Sequence, residues 1–233
     1  MRITGILFDK DGTLFDFAAS WTGWAHGVIT ALADDDATLE AAIAECAGFD
    51  LARGGFRADS IAIAGTERQL AEALGPILPH LSTSEIARRL KAGAHSAQMV
   101  PVASLLPLMD HFIASDLTLG VATNGSEGEA RSHLQAAGIL DRFAYVAGYD
   151  SGFGAKPEPG MCRAFAETQG LDPATVLMVG DSLHDLHAGR AAGMRTVAVL
   201  TGMAGHQDLA PHAEIVLPDI SHIPGWLATM TDH

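Results

Sequence analysis

The chain predicts an α/β fold, a parallel sheet interrupted once by a helical insertion, on three observations. Residues 2–8 form an apolar, β-branched run that reads as a buried first strand. Residues 16–98 are rich in alanine at helical spacing, with almost no strand signal. From Pro101 onward, helical and strand patterns alternate, which implies right-handed crossovers between parallel strands. Taken in order, the insertion holds helices at 20–33, 37–47, 67–74 and 84–95. Asp34-Asp35-Asp36 lacks the spaced ligands and glycine of a calcium loop and marks a helix boundary. Gly54-Gly55 and Gly75-Pro76 punctuate the region, and Ser82-Thr83-Ser84-Glu85 supplies hydroxyl caps and an early acid. Helix 103–114 then leads to strand 117–123, helix 127–137 to strand 145–148, and helix 160–169 to strand 175–179. Helix 183–192 leads to strand 196–200, and strand 214–217 with a tail helix at 223–230 completes the pattern. The expected division is a core of residues 1–15 and 99–233 and a helical domain of residues 16–98, without internal repeats.

Composition narrows the function. Hydrophobic residues at 48% and charged residues at 18% belong to a folded globular protein. A net charge of −14 argues against nucleic acid and against anionic membrane surfaces as partners. It is compatible with a small anionic substrate, because screening over about 8 Å lets a bound cation and one lysine dominate a local pocket. The two cysteines, Cys46 and Cys162, lack metal-ligand spacing and read as buried reduced thiols. Apolar runs are too short for a signal peptide or a membrane span, so cytoplasm is the expected compartment, with a monomer or homodimer as the expected state.

Four short stretches carry the chemistry. Asp9-Lys10-Asp11-Gly12-Thr13, Thr123-Asn124 and Gly180-Asp181-Ser182-Leu183-His184-Asp185 each follow an apolar run, and Ala155-Lys156-Pro157 lies between the last two. Strand ends of an open parallel sheet face one crevice. Together they offer a nucleophile, an acid/base, a phosphate grip and a cation site, which is the equipment for moving a phosphoryl group. Only three lysines occur, Lys10, Lys91 and Lys156, against a majority of arginines. A lysine beside Pro157 therefore suggests that a compact point charge is wanted there.

These segments resemble the haloacid dehalogenase-like (HAD) superfamily, in its phosphatase branch with a helical cap inserted after the first motif. Asp9-x-Asp11-Gly12-Thr13, Thr123, Lys156 and Gly180-Asp181-x-x-x-Asp185 match its four motifs in order. The resemblance spans the core but covers the cap only in position and helical character, and it implies a Rossmann-like sheet. Asp9 suits attack on phosphorus to give an aspartyl-phosphate, and Asp11 suits proton transfer to the leaving alkoxide and from water. Gly12 permits a tight bend with close approach of main-chain amides to phosphate oxygens, where Thr123, Asn124 and Lys156 add contacts. The family places Mg²⁺ on residues matching the Asp9 side chain, the Asp11 carbonyl and Asp181, with Asp185 holding a metal-bound water. The length and placement of the cap resemble those of phosphoglycolate phosphatases, implying a small phosphorylated metabolite as substrate and cap closure that chooses it.

Alternatives remain at this stage. A phosphomutase of the same fold would use sugar phosphate in place of water. A signalling receiver that stores phospho-aspartate shares the residue types, but its lysine sits on the last strand and it has no helical insertion. Dehalogenases lack an acid matching Asp11, and phosphonate cleavage would rely on Lys91, the single lysine of the insertion. Arg53 and Arg57 flank Gly54-Gly55 and are candidates for gripping a substrate carboxylate or second phosphate, against the plainer reading of solvated arginines. Trp21 and Trp24 read as core of the helical domain, and His184 and His187 as a solvated helix face, with His184 able to border the crevice.

Overall fold

The computed structural model describes residues 2–57, 60–94 and 97–231. His95, the expected end of one helix, lies outside them. The chain divides into one unit of Met1–Phe17 with Val100–His233 and a second of Ala18–Met99. In chain order the elements are β1 (Gly5–Phe8), α1 (Phe17–Ala33), α2 (Ala37–Ala47), β2 (Phe49–Asp50), β3 (Gly55–Phe56), α3 (Ile61–Ala64), α4 (Glu67–Leu74) and α5 (Thr83–Ala94). There follow α6 (Leu105–Ala114), β4 (Thr118–Ala122), α7 (Glu127–Ala136), β5 (Tyr145–Ala147), α8 (Gly160–Gln169) and β6 (Val176–Gly180). The chain continues through α9 (Leu183–Ala191), β7 (Arg195–Val199), α10 (His206–Leu209), β8 (Ile215–Leu217) and α11 (Ile223–Thr231).

The first unit is built on a six-stranded sheet in the order β5-β4-β1-β6-β7-β8, parallel throughout. Its inner strands, such as Gly5-Ile6-Leu7-Phe8 and Val176-Leu177-Met178-Val179-Gly180, are buried along their whole length. That continuity is what a sheet covered on both faces requires. Phe8 pairs with both Val121 and Val179, so Asp9 lies level with the last residues of β4 and β6, Ala122 and Gly180, at one edge of the sheet. Strand order reverses at β1, which is where open α/β sheets bind ligands. Beneath that edge, Phe165 packs with Leu7, Met161, Val176 and Met178. Gly120 admits the ring: a Cβ there would sit 2.7 Å from Phe165 Cε2. Burial of a side chain of this size contributes about 1.5–3 kcal/mol. Cys162 is buried in the same cluster, whereas Cys46 is only half-buried, on a helix of the second unit.

The second unit is mainly helical, and its helix ends follow from local chemistry. Asp36 accepts from the Thr38 and Leu39 amides at 2.8 and 3.0 Å, and Gly48 closes α2 at φ 73°. Thr66 and Gln69 exchange reciprocal bonds at the start of α4, and the Ser82 hydroxyl accepts from the Glu85 amide at 3.2 Å before α5. Trp21 is buried, as expected of a core residue, and packs edge-on at 5.2 Å against Trp24, which is only half-buried. The expectation of an all-helical insertion is corrected by the β2–β3 antiparallel hairpin. Asp50 accepts from the Ala52 and Arg53 amides, and Gly54 turns at φ 67°. Two-residue strands are too short to show alternation in a sequence. Among the described residues, no helix is long and apolar enough to cross a membrane.

Candidate active site

The first strand delivers Asp9. Its amide extends the ladder by donating to the Val179 carbonyl at 2.8 Å, and its side chain is buried. The chain then bends: the Leu14 amide donates to the Lys10 carbonyl at 2.9 Å, and Gly12 adopts φ 84°. A side chain at Gly12 would be strained by that conformation and would bring a Cβ within 2.5 Å of Asp181 Oδ2. The Thr201 hydroxyl holds the Gly12 carbonyl at 2.6 Å. Glycine is thus required where the backbone passes a carboxylate.

The second and third motifs are tied to each other. Thr123 is buried beyond the end of β4, and its hydroxyl accepts from the Gly125 amide at 3.0 Å. Asn124 exchanges two hydrogen bonds with the main chain of Lys156. Its Nδ2 donates to the Lys156 carbonyl at 3.0 Å, and its Oδ1 accepts from the Lys156 amide at 2.9 Å. His184 Nδ1 lies 3.2 Å from the same carbonyl, which can only accept, so this nitrogen carries the proton. The side chain of Asn124 is therefore a support for Lys156, a role that the sequence reading did not assign to it. Lys156 Nζ donates to Asp9 Oδ1 at 2.6 Å, Asp185 Oδ1 at 2.6 Å and the Ala122 carbonyl at 2.7 Å. All three ammonium hydrogens are used.

The fourth motif completes an acidic cluster. Asp185 Oδ2 accepts from the Ser182 amide and hydroxyl at 3.1 and 2.6 Å, which orients it at the start of α9. Asp9, Asp181 and Asp185 are buried, and one oxygen from each lies within 4.8 Å of the others. Burial pushes the Asp9 carboxyl up to about 7, with Lys156 opposing and Asp185 and Asp11 adding repulsion. Burial likewise raises Asp181 well above the carboxylate range, reinforced by Asp185 and Asp9. Burial alone would lower Lys156, but Asp185 and Asp9 outweigh it and the ammonium is held charged. Three carboxylates against one ammonium, in an all-oxygen setting, fit a hard divalent cation.

That repulsion has a measurable consequence. A carboxyl whose pKa is raised on folding stabilises most below its unfolded pKa and loses that contribution as pH rises through the folded value. Asp181→Asn is neutral at every pH. At pH 8 with chelator, thermal unfolding of this variant is expected about 2–4 °C above wild type, the response to about 1 kcal/mol at this size. The gap should close towards pH 4, and a divalent cation should raise the wild-type transition more than the variant's. A variant that melts below wild type at pH 8 would refute the electrostatic account.

Asp9, Gly12, Thr123, Asn124, Lys156, Asp181 and Asp185 thus meet at one sheet edge. The Asp11 carboxylate is 19% exposed and lies 3.1 Å from Lys10 Nζ. Arg53 sits in the hairpin turn with its side chain 88% exposed, near Asp50, and Arg57 is bound to the Glu45 carboxylate at 2.6 Å and its carbonyl at 3.0 Å. His187 is exposed and lies 3.2 Å from His212, in line with a solvated face. Lys10, Glu129 and His133, all buried, were not anticipated beside the motifs. Their signal was available: a lysine directly after a buried strand, and an acid and a histidine four residues apart on one helix.

Comparison with known proteins agrees with this geometry. A profile described as haloacid dehalogenase-like hydrolase matches residues 6–199. A phosphoglycolate phosphatase of Rhodospirillum rubrum is 31% identical over 233 residues, covering 95% of this chain and 90% of that protein. An N-acetylmuramic acid 6-phosphate phosphatase of Pseudomonas putida is 32% identical over 211 residues, covering 89% and 87%. The fold is shared with the crystal structure of a predicted phosphoglycolate phosphatase from Haemophilus somnus, at TM-score 0.73 and 18% identity over 97% and 98% of the two chains. Family profile, relatives and strand-end chemistry converge: the chain belongs to the haloacid dehalogenase-like hydrolases, and within them to the phosphatases.

Proposed function

We propose that this phosphatase hydrolyses a small, phosphoglycolate-like phosphomonoester with Mg²⁺, through a phosphorylated Asp9. The observation that carries the reading is the Lys156 ammonium bridging Asp9 and Asp185 with Asp181 beside them, groups from the ends of β1 and β6 and the loop between β5 and α8. An Asp9 oxygen attacks phosphorus as the bond to the leaving oxygen breaks, and Asp11 gives that oxygen its proton. Water then attacks phosphorus, passing its proton to Asp11, and the phosphorus–Asp9 bond breaks to release phosphate. Thr123 holds a phosphoryl oxygen and Lys156 another, its ammonium turning to phosphate the hydrogen that Asp9 accepts in the free site, while Asn124 and His184 fix the main chain that carries Lys156. Asp9, the Asp11 carbonyl and Asp181 would hold Mg²⁺, with Asp185 orienting its water, and the ion would neutralise charge on the transferring group. In-line displacement of this kind rests on positioning and electrostatics, which a rigid, buried cluster supplies.

The substrate class follows from relatives named for phosphoglycolate and N-acetylmuramic acid 6-phosphate. The test is phosphate release from 2-phosphoglycolate and a set of sugar phosphates, with Mg²⁺ and with excess chelator. Release with Mg²⁺ that chelation abolishes is expected. Isomerisation of a sugar phosphate without net phosphate release, or turnover indifferent to chelator, would overturn the proposal.

A further inference from the structure

Beside the cluster lies a second buried ammonium that the chemistry above does not use. Lys10 is fully buried, and its Nζ contacts Glu129 Oε1 at 2.9 Å, His133 Nδ1 at 2.9 Å and Asp11 Oδ2 at 3.1 Å. An ammonium has three hydrogens and no lone pair, so three acceptors saturate it, and His133 must accept at Nδ1. Glu129 and His133 project from the first and last turns of α7, whose start is fixed by the Glu129 amide donating to Ser126 Oγ at 3.3 Å. Helix α7 follows directly on the loop that carries Thr123 and Asn124. Two contacts therefore anchor Lys10 to the scaffold and the third reaches the carboxylate two residues after Asp9. Replacing a buried ion pair with apolar groups of similar volume is often neutral or stabilising, so what the pair adds here is direction.

We propose that Lys10 is a positioning residue for Asp11, its ammonium fixed by Glu129 and His133 so that the Asp11 carboxyl group meets the leaving oxygen. The inference rests on the reading of Asp11 as the acid and base. Misplacing a catalytic group by about 1 Å can cost about 10²-fold.

The test compares kcat/KM for phenyl phosphate and p-nitrophenyl phosphate with Mg²⁺. The two esters are similar in shape, but p-nitrophenolate is the weaker base and departs with less need of a proton. Up to phosphorylation of Asp9, only the acid step distinguishes them. The double variant Lys10→Met/Glu129→Leu removes both charges together and leaves neither orphaned. It is expected to lose about 10²-fold with phenyl phosphate, and at least about 10-fold less with p-nitrophenyl phosphate. Glu129→Gln, which keeps the shape of the site, should show the same selectivity to a smaller degree. Asp11→Asn should show it most strongly. Equal losses on both esters in the Lys10 and Glu129 variants, beside a selective loss in Asp11→Asn, would overturn the positioning role alone. Absence of selectivity in Asp11→Asn would overturn the reading of Asp11 itself, and the positioning role with it.

Discussion

Asp9→Asn is expected to lower kcat by about 10⁴-fold or more, on the scale seen when a nucleophile is removed from an assembled site. The amide keeps the shape of the carboxylate but is a poor nucleophile towards phosphorus. On the proposed mechanism the surrounding residues still bind substrate, so KM should change far less than kcat. Wild-type enzyme denatured during turnover should carry phosphate on the peptide containing Asp9, lost on treatment with hydroxylamine, and the variant should carry none. Equal turnover of p-nitrophenyl phosphate by both proteins would end the covalent mechanism. Folding should survive the change, because Asp9 is a carboxyl that burial already pushes up to about 7.

Lys156→Met is expected to be damaging in two ways at once. Its ammonium satisfies Asp9, Asp185 and the Ala122 carbonyl, so methionine leaves two buried carboxylates facing each other and a carbonyl without its donor. Breaking a buried pair on one side costs about 3–5 kcal/mol. At this chain length that is roughly 10 °C in the unfolding transition. The sign of the pH dependence follows from Asp9, which burial raises to about 7 against the opposing lysine. Without the lysine that folded pKa rises further, so the folded variant binds this proton more tightly than the unfolded chain. The deficit should be largest at pH 8 in chelator and shrink at pH 5.5, where Asp9 can be neutral. Activity should fall by at least about 10²-fold, because a preorganised charge on the transferring group is lost. A variant that melts with wild type at pH 8 would show that the ammonium does not hold the cluster together.

Both predictions concern residues that were legible from the chain, and the reason is geometric. In a parallel sheet buried on both faces, the core strands are continuous apolar runs, and polar residues at their carboxyl ends mark one edge. Asp9, Thr123 and Asp181 stand at such ends, and Lys156 declared itself by its scarcity and its proline neighbour. Helix ends were equally readable, since Asp36, Thr66 and Ser82 act through amides two or three residues away. The β2–β3 hairpin was not, because it is set by a turn and by four paired residues with no period to detect.

What the sequence by itself determined is the class of fold, the order of the strands and long helices of the parallel-sheet unit, and the residue types that meet at one edge of the sheet, because these follow from periodicity and strand-end position. Only the tertiary structure decided that Lys10 faces inward rather than to solvent. Its partners Glu129 and His133 lie 119 and 123 residues away and reach it only once β1 and β4 are in register. The same pairing of distant loops turned Asn124 from a turn residue into the clamp on Lys156. Local propensity acts over a few residues, whereas the partner of a buried charge is chosen by whichever element folds against it.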